Sequence, residues 1–275
     1  MPYKEPDPTS PVPANFQYYR RQLIEEIEFL TLSLKSHMDK FTLLVIGAAP
    51  GFDLMFLVEL FPKMKLILFD SKPILIVTPR KRVKVYQTLF TVEWAERIKK
   101  MLGDSTVYMQ CYTRIAPSKL QKNLEQVMQW HSIILPERGA YEFTLPYASD
   151  ETTEFIKGER YFPVWSKKAG ADCRLITDQN TNQTVGYENR LHEEQMMYFN
   201  TVVRPSRFQC RTGEGSKRTK KMGYDQMAEF TILQDYTRKF QLQGTPGALS
   251  MCITKHLAQF PVLPDWFEEQ RRRLH

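Results

Sequence analysis

The chain has 275 residues, 42% hydrophobic and 25% charged, enough for one sizeable α/β core with extensions. No stretch approaches the roughly 20 continuous apolar residues that span a bilayer, and the opening Met1-Pro-Tyr-Lys-Glu-Pro6 resembles neither a signal nor a transit peptide, so no membrane partner and a cytoplasmic location are expected. A net charge of +7 favours an anionic partner such as nucleic acid, while the scattered Cys111, Cys173, Cys210 and Cys252 suggest neither a disulfide framework nor a zinc site.

Residues 1–15 contain Pro2, Pro6, Pro8, Pro11 and Pro13, which favour an extended tail. From Phe16 to Met38 the spacing of Leu23, Ile24, Ile27, Leu30 and Leu34 predicts an amphipathic helix. A strand over 42–47 and a helix over 52–61 come next, followed by strands over 65–69 and 74–77 and a helix over 91–102 that stops before Gly103. The pattern continues with a strand over 106–109, a helix over 118–131, and strands over 141–145 and 173–177. Strands separated by helix-length segments predict a mainly parallel sheet with helices on both faces. A basic loop over 211–222 precedes a helix over 223–240, so that 16–260 form one domain and 261–275 a C-terminal tail with a helix over 264–273.

The run Thr42-Leu-Leu-Val-Ile-Gly-Ala-Ala-Pro-Gly51 joins a buried strand to a turn of small residues and then to a helix. Gly47 and Gly51 let backbone approach a ligand, and the following helix offers its unbonded N–H groups. Asp70 ends the next strand, where a carboxylate accepts hydrogen bonds from both hydroxyls of a ribose. A dinucleotide fingerprint would carry a middle glycine; this loop lacks it and has Pro50 instead.

Gly47-Ala-Ala-Pro-Gly51 resembles the S-adenosylmethionine loop of the RNA 2'-O-methyltransferase superfamily. Phe16–Leu30, Tyr141–Tyr147, Ala171–Leu175 and His192–Asn200 fall in the order of the corresponding segments of the poxvirus-type cap-specific mRNA 2'-O-methyltransferase family, whose protein doubles as a subunit of the viral poly(A) polymerase. The resemblance covers about residues 16–204 and implies a Rossmann-like methyltransferase fold with S-adenosylmethionine as cofactor. It assigns cofactor contacts to Tyr19, Gly47, Ala49, Gly51, Asp53, Asp70, Lys72 and Phe90, with Lys72 in place of an arginine and Tyr19 in place of a glutamine.

The family's Lys-Asp-Lys-Glu tetrad falls by resemblance on Arg21, Cys111, Glu142 and Asp172, so only the last keeps its chemical type. Lys35 is an alternative to Arg21 but lies closer to the loop than the family spacing. Arginine stays protonated and cannot be a base, and an ordinary glutamate is a weak base for an alcohol. For Cys111 the favoured reading is a buried apolar filler. Arg21 and Glu142 read almost equally well as ordinary surface charges.

For a methylated guanine, which is cationic, the resemblance implies stacking on Tyr147, with Tyr3 as a second aromatic, Glu193 as carboxylate and Trp165 as a substitute for a lost aromatic. Core or rim packing competes for Tyr147 and Trp165, and a solvated helix face for Glu193. Arg80-Lys-Arg82 and Lys217–Lys221 suit phosphates or are solvated charge runs.

These features imply a partner RNA, in particular capped mRNA, together with a poly(A) polymerase or capping-enzyme subunit, and a virion or viral-factory setting. Three functions stay open: a catalytically weak or inactive RNA- and cap-binding subunit, an active methyltransferase with a non-standard residue set, and a structural partner of a capping enzyme or poly(A) polymerase.

Overall fold

The computed structural model describes residues 14–51, 53–75, 81–112, 119–162, 173–203 and 226–259. Seven strands form one sheet in the order β3-β2-β1-β4-β5-β8-β7, built from β1 (Thr42–Ile46), β2 (Lys65–Asp70), β3 (Val83–Gln87), β4 (Val107–Cys111), β5 (Arg138–Glu142), β7 (Gly158–Tyr161) and β8 (Arg174–Thr177). The first five pair in parallel, while β8 runs antiparallel to both β5 and β7. A separate hairpin pairs β6 (Thr152–Ile156) with β9 (Thr184–Glu188). This is the expected α/β, Rossmann-like architecture.

The parallel strands are apolar on both faces because helices cover both. Helices α1 (Ala14–Ser33), α2 (Leu54–Leu60), α6 (Gln226–Lys239) and α7 (Pro246–Leu257) pack on one face, where Leu23, Ile27 and Leu30 of α1 meet Leu43 and Val45 of β1. Helices α3 (Val92–Leu102) and α4 (Leu120–Ile134) pack on the other, with Ile98 and Val127 against Leu44 and Met109. Helix α5 (Asn189–Tyr198) continues into a π-turn over Phe199–Val203.

Arg20 fixes α1 in place. Its guanidinium donates to both carboxylate oxygens of Glu229 on α6, at 2.7 and 2.6 Å, and to Thr254 Oγ1 and Ser250 Oγ on α7. A buried, bidentate pair of this kind sets orientation as well as attraction.

Some expectations need correction. Ile74 and Leu75 are not in a strand; Leu75 instead donates its N–H to Pro50 O, and the edge strand is β3. The strand expected at 141–145 runs over Arg138–Glu142, since Arg138 and Gly139 pair with Tyr108 and Met109. Helix α1 ends at Ser33, where Asp39 Oδ2 accepts the N–H groups of Lys35 and Ser36. Sequence reasoning omitted α7, although Thr245 caps it and Pro246 opens it, as start signals should. The basic loop over 211–222 and the helix over 264–273 lie outside the described residues. Among the described residues no helix is long and apolar enough to cross a membrane, and no His, Cys, Asp and Glu group suits a metal ion.

Candidate functional site

The chain leaves β1 toward β2 and β3, then returns to β4 on β1's other side. Parallel sheets of this kind carry ligands at such a switch point, outside the carboxyl ends of the strands. Gly47 follows β1 there with φ +79°, and a Cβ on it would come within 2.8 Å of Tyr112 O. Gly51 has φ +72°, and a Cβ on it would meet Ile74 Cγ2 at 2.8 Å and Ala48 O at 2.9 Å. Both positions therefore require glycine on conformational and steric grounds.

Asp70 organises this loop. Its Oδ2 accepts from Ala49 N–H at 2.9 Å and its Oδ1 from Lys72 N–H at 2.8 Å. An ionised carboxylate has about four acceptor sites, so roughly two stay available for a pair of ribose hydroxyls. The loop backbone and Asp70 thus fit a nucleoside. Tyr19 and Phe90 are instead buried: Tyr19 belongs to the α1 core, and Phe90 packs edge-on to Phe69 and Trp130 on the opposite face.

Alternation along β4 divides the tetrad positions. Val107, Met109 and Cys111 join the α3/α4 core, while Tyr108 and Tyr112 pack on the α1 face. The Cys111 side chain, 1% exposed, therefore points away from α1, and the residue of this strand end that faces α1 is Tyr112. Arg21 lies on α1 and Glu142 ends β5 in register with Arg174. Asp172 lies outside the described residues, as do Tyr3 and Trp165.

A network missing from the sequence reading fills the α1 face of this edge. Tyr112 Oη donates to Glu26 Oε1 at 2.8 Å and accepts from Arg174 Nη1 at 3.2 Å. The Arg174 guanidinium also lies 4.6 Å from the centre of the Tyr112 ring and forms an ion pair with Glu25. Burial raises the Tyr112 hydroxyl well above its ordinary pKa. Burial alone would lower Arg174, but Glu25, Tyr112 and Glu26 reverse that and hold it firmly protonated. The sequence did carry a signal: Glu26 interrupts the apolar stripe of Leu23, Ile27 and Leu30.

Gln110 lies on the same strand, fully buried, and neither of its amide atoms has a partner among the described residues. Gln110→Met keeps the volume and removes two stranded polar atoms, so we expect a gain of about 1–2 kcal/mol. Urea unfolding followed by circular dichroism checks this; a loss of stability would mean that the amide is satisfied in solution.

The candidate cap residues come together in part. Tyr147 is 81% exposed, which excludes core packing. The next residue, Ala148, takes φ +51° and donates its N–H to Glu193 Oε1 at 2.8 Å. Tyr147 and Glu193 therefore border one corner, an exposed aromatic beside a carboxylate.

A sequence profile for the family described as "Poly A polymerase regulatory subunit" matches residues 13–246. Curated protein sequences gave no match. Among solved structures, bluetongue virus VP4, described as a multifunctional RNA-capping production line, is 11% identical over 71% of this chain, with a TM-score of 0.48. The chain spans 33% of VP4. Human methyltransferase-like protein 13, solved in complex with SAH, is 12% identical over 76% of this chain and 100% of its own, with a TM-score of 0.35.

Proposed function

Because the chain belongs to the poly(A) polymerase regulatory subunit family, we propose that it is an RNA-binding, methyltransferase-like subunit of mRNA cap or 3'-end processing that keeps a nucleoside site but does not transfer methyl groups. The observation that carries this reading is the α1 face of the carboxyl edge, where Tyr112 and Arg174 are bound to Glu26 and Glu25. Methyl transfer to a ribose hydroxyl needs a group that accepts the hydroxyl proton. An arginine and a buried tyrosine with a raised pKa stay protonated at neutral pH, and Cys111 is turned into the other core, so none of these three takes that proton.

S-adenosylmethionine is the cofactor this reading assigns; it would supply a sulfonium methyl group. The Gly47–Gly51 backbone would line its pocket and Asp70 would receive its ribose hydroxyls. The Tyr147–Glu193 corner would receive the cap, the ring stacking on the cationic guanine and the carboxylate meeting its base edge. The partners on this reading are capped mRNA and a poly(A) polymerase catalytic subunit, in a cytoplasmic viral setting.

Radiolabelled S-adenosylmethionine and capped RNA test the reading together. Expected are cofactor binding by calorimetry and no labelled RNA above background. Capped RNA should bind, and Tyr147→Ala should weaken that binding about tenfold relative to uncapped RNA, which is about 1.4 kcal/mol. Robust transfer that Glu142→Ala abolishes would overturn the proposal in favour of an active enzyme.

A further inference from the structure

Helix α1 meets its surroundings through carboxyl groups. Glu25 pairs with Arg174 of β8, Glu26 accepts from Tyr112 beyond β4, and Glu28 accepts from the Tyr161 hydroxyl of β7. The small-residue loop contributes a fourth carboxyl, Asp53, at the N-cap position of α2. It does not cap that helix: its backbone is already helical, with φ −64° and ψ −39°, and its side chain makes no cap hydrogen bond. The side chain is buried instead, 1% exposed, and its Oδ2 has no partner among the described residues. Glu26 is fully buried, and its Oε2 is likewise without a partner among them.

Two carboxyls from different elements thus lie within electrostatic reach of each other, each with one oxygen stranded away from water. Two buried negative charges within that reach would be strongly unfavourable, so this packing requires at least one proton between them. Burial pushes Asp53 up to about 7. Burial, and then the neighbouring Asp53, raises Glu26 well above the carboxylate range.

We propose that Glu26 and Asp53 form a proton-dependent latch between the first helix and the loop of the candidate nucleoside site. With the pair protonated, α1 packs over the loop; with the protons lost, like charges push the two apart and loosen the Gly47–Asp53 segment. The surrounding charges do not cancel this repulsion. Around Glu26, Tyr112 and Arg174 favour the ionised carboxyl while Asp53 and Glu25 oppose it, and the balance still leaves Glu26 raised; Tyr161 and Asp235 act farther along α1, on Glu28. Arg174 is already paired with Glu25. The effect on a ligand rests on the function proposed above, but the latch itself is measured on the full chain without ligand, so failure to bind a nucleoside would leave it standing.

The sign follows from linkage. Asp53 holds its proton more tightly folded than unfolded, so its stabilisation is complete below its ordinary pKa near 4 and is lost as pH rises through about 7. Wild type and Asp53→Asn should melt together only at about pH 4 or below, with the difference growing as pH rises. At about pH 8.5 Asp53→Asn should melt higher by at least about 5 °C. Glu28 also titrates at about 7, mainly through burial, so Glu28→Gln is run as the control for that background. Hydrogen exchange over residues 47–60, corrected for intrinsic rate, should speed up between about pH 6 and 8 in wild type and not in Asp53→Asn. Carboxyl carbon NMR of the wild type covers the case in which the variant fails to fold: one aspartate should titrate above about pH 6. Parallel melting curves, or no aspartate titrating above about pH 5, would overturn the latch.

Discussion

Arg174→Met is expected to lower the unfolding free energy by about 3–5 kcal/mol, the usual cost of removing one member of a buried ion pair. The reason is what the guanidinium leaves behind. The Arg174 and Glu25 side chains are 14% and 6% exposed, so the Glu25 carboxylate loses its guanidinium in a region with little water. Tyr112 loses both a hydrogen-bond donor and the cation beside its ring, and Glu26 loses a charge that opposes the upward shift of its pKa. The two costs separate in a double-mutant cycle. If the loss comes mainly from stranded charge, Glu25→Gln with Arg174→Met should cost less than the sum of the single changes, by about 1–3 kcal/mol. Urea unfolding of the four proteins measures it; a single-variant loss below about 1 kcal/mol would mean that solvent reaches the pair and that the network does not hold α1 to the sheet.

The sheet and its apolar helices were legible because each needed one rule only. The stripe of Leu23, Ile27 and Leu30 is buried as its spacing requires, and α3 runs from its Thr91 cap to Gly103. The misses arose where tertiary pairing overrode local preference. Arg138 and Gly139 are poor strand residues, yet they pair with β4 because Gly139 donates to Thr177 Oγ1 and lies between its neighbours without a side chain. Strands β6 and β9 each expose polar residues on one side and pair as strands only with each other, while Phe155, Ile156 and Tyr187 pack into the core on the α3/α4 face. Within the site, Gly47, Gly51 and Asp70 could be read because backbone conformation and strand position leave local marks. Cys111 and Tyr112 could not be separated by resemblance alone: a shift of one residue along a strand reverses the face. Glu25 and Arg174 were invisible as a pair because 149 positions of chain separate them and only the sheet order brings β8 beside α1.

Gly51→Ala should abolish most nucleoside binding while leaving the protein folded. An alanine at φ +72° carries a strain of about 1–2 kcal/mol, and its Cβ would also meet Ala48 O at 2.9 Å and Ile74 Cγ2 at 2.8 Å. Ala48 O is backbone, so relief must come from movement of the loop itself. That loop is held by Ala49 N–H on Asp70 and by Leu75 N–H on Pro50 O, so a shift at residue 51 disturbs the carboxylate that should receive the ribose. We expect S-adenosylmethionine affinity to fall at least about tenfold, or about 1.4 kcal/mol, with a loss of stability of about 1–2 kcal/mol. Gly103 supplies the control: it has φ +54°, but a Cβ added there would meet nothing within 4 Å, and it closes α3 rather than lining the loop. Gly103→Ala should therefore lose stability through backbone strain and keep full binding. Calorimetry on wild type and both variants decides the matter. Equal affinity in wild type and Gly51→Ala would place the nucleoside elsewhere, whereas no binding by wild type would mean that the loop does not serve a nucleoside site.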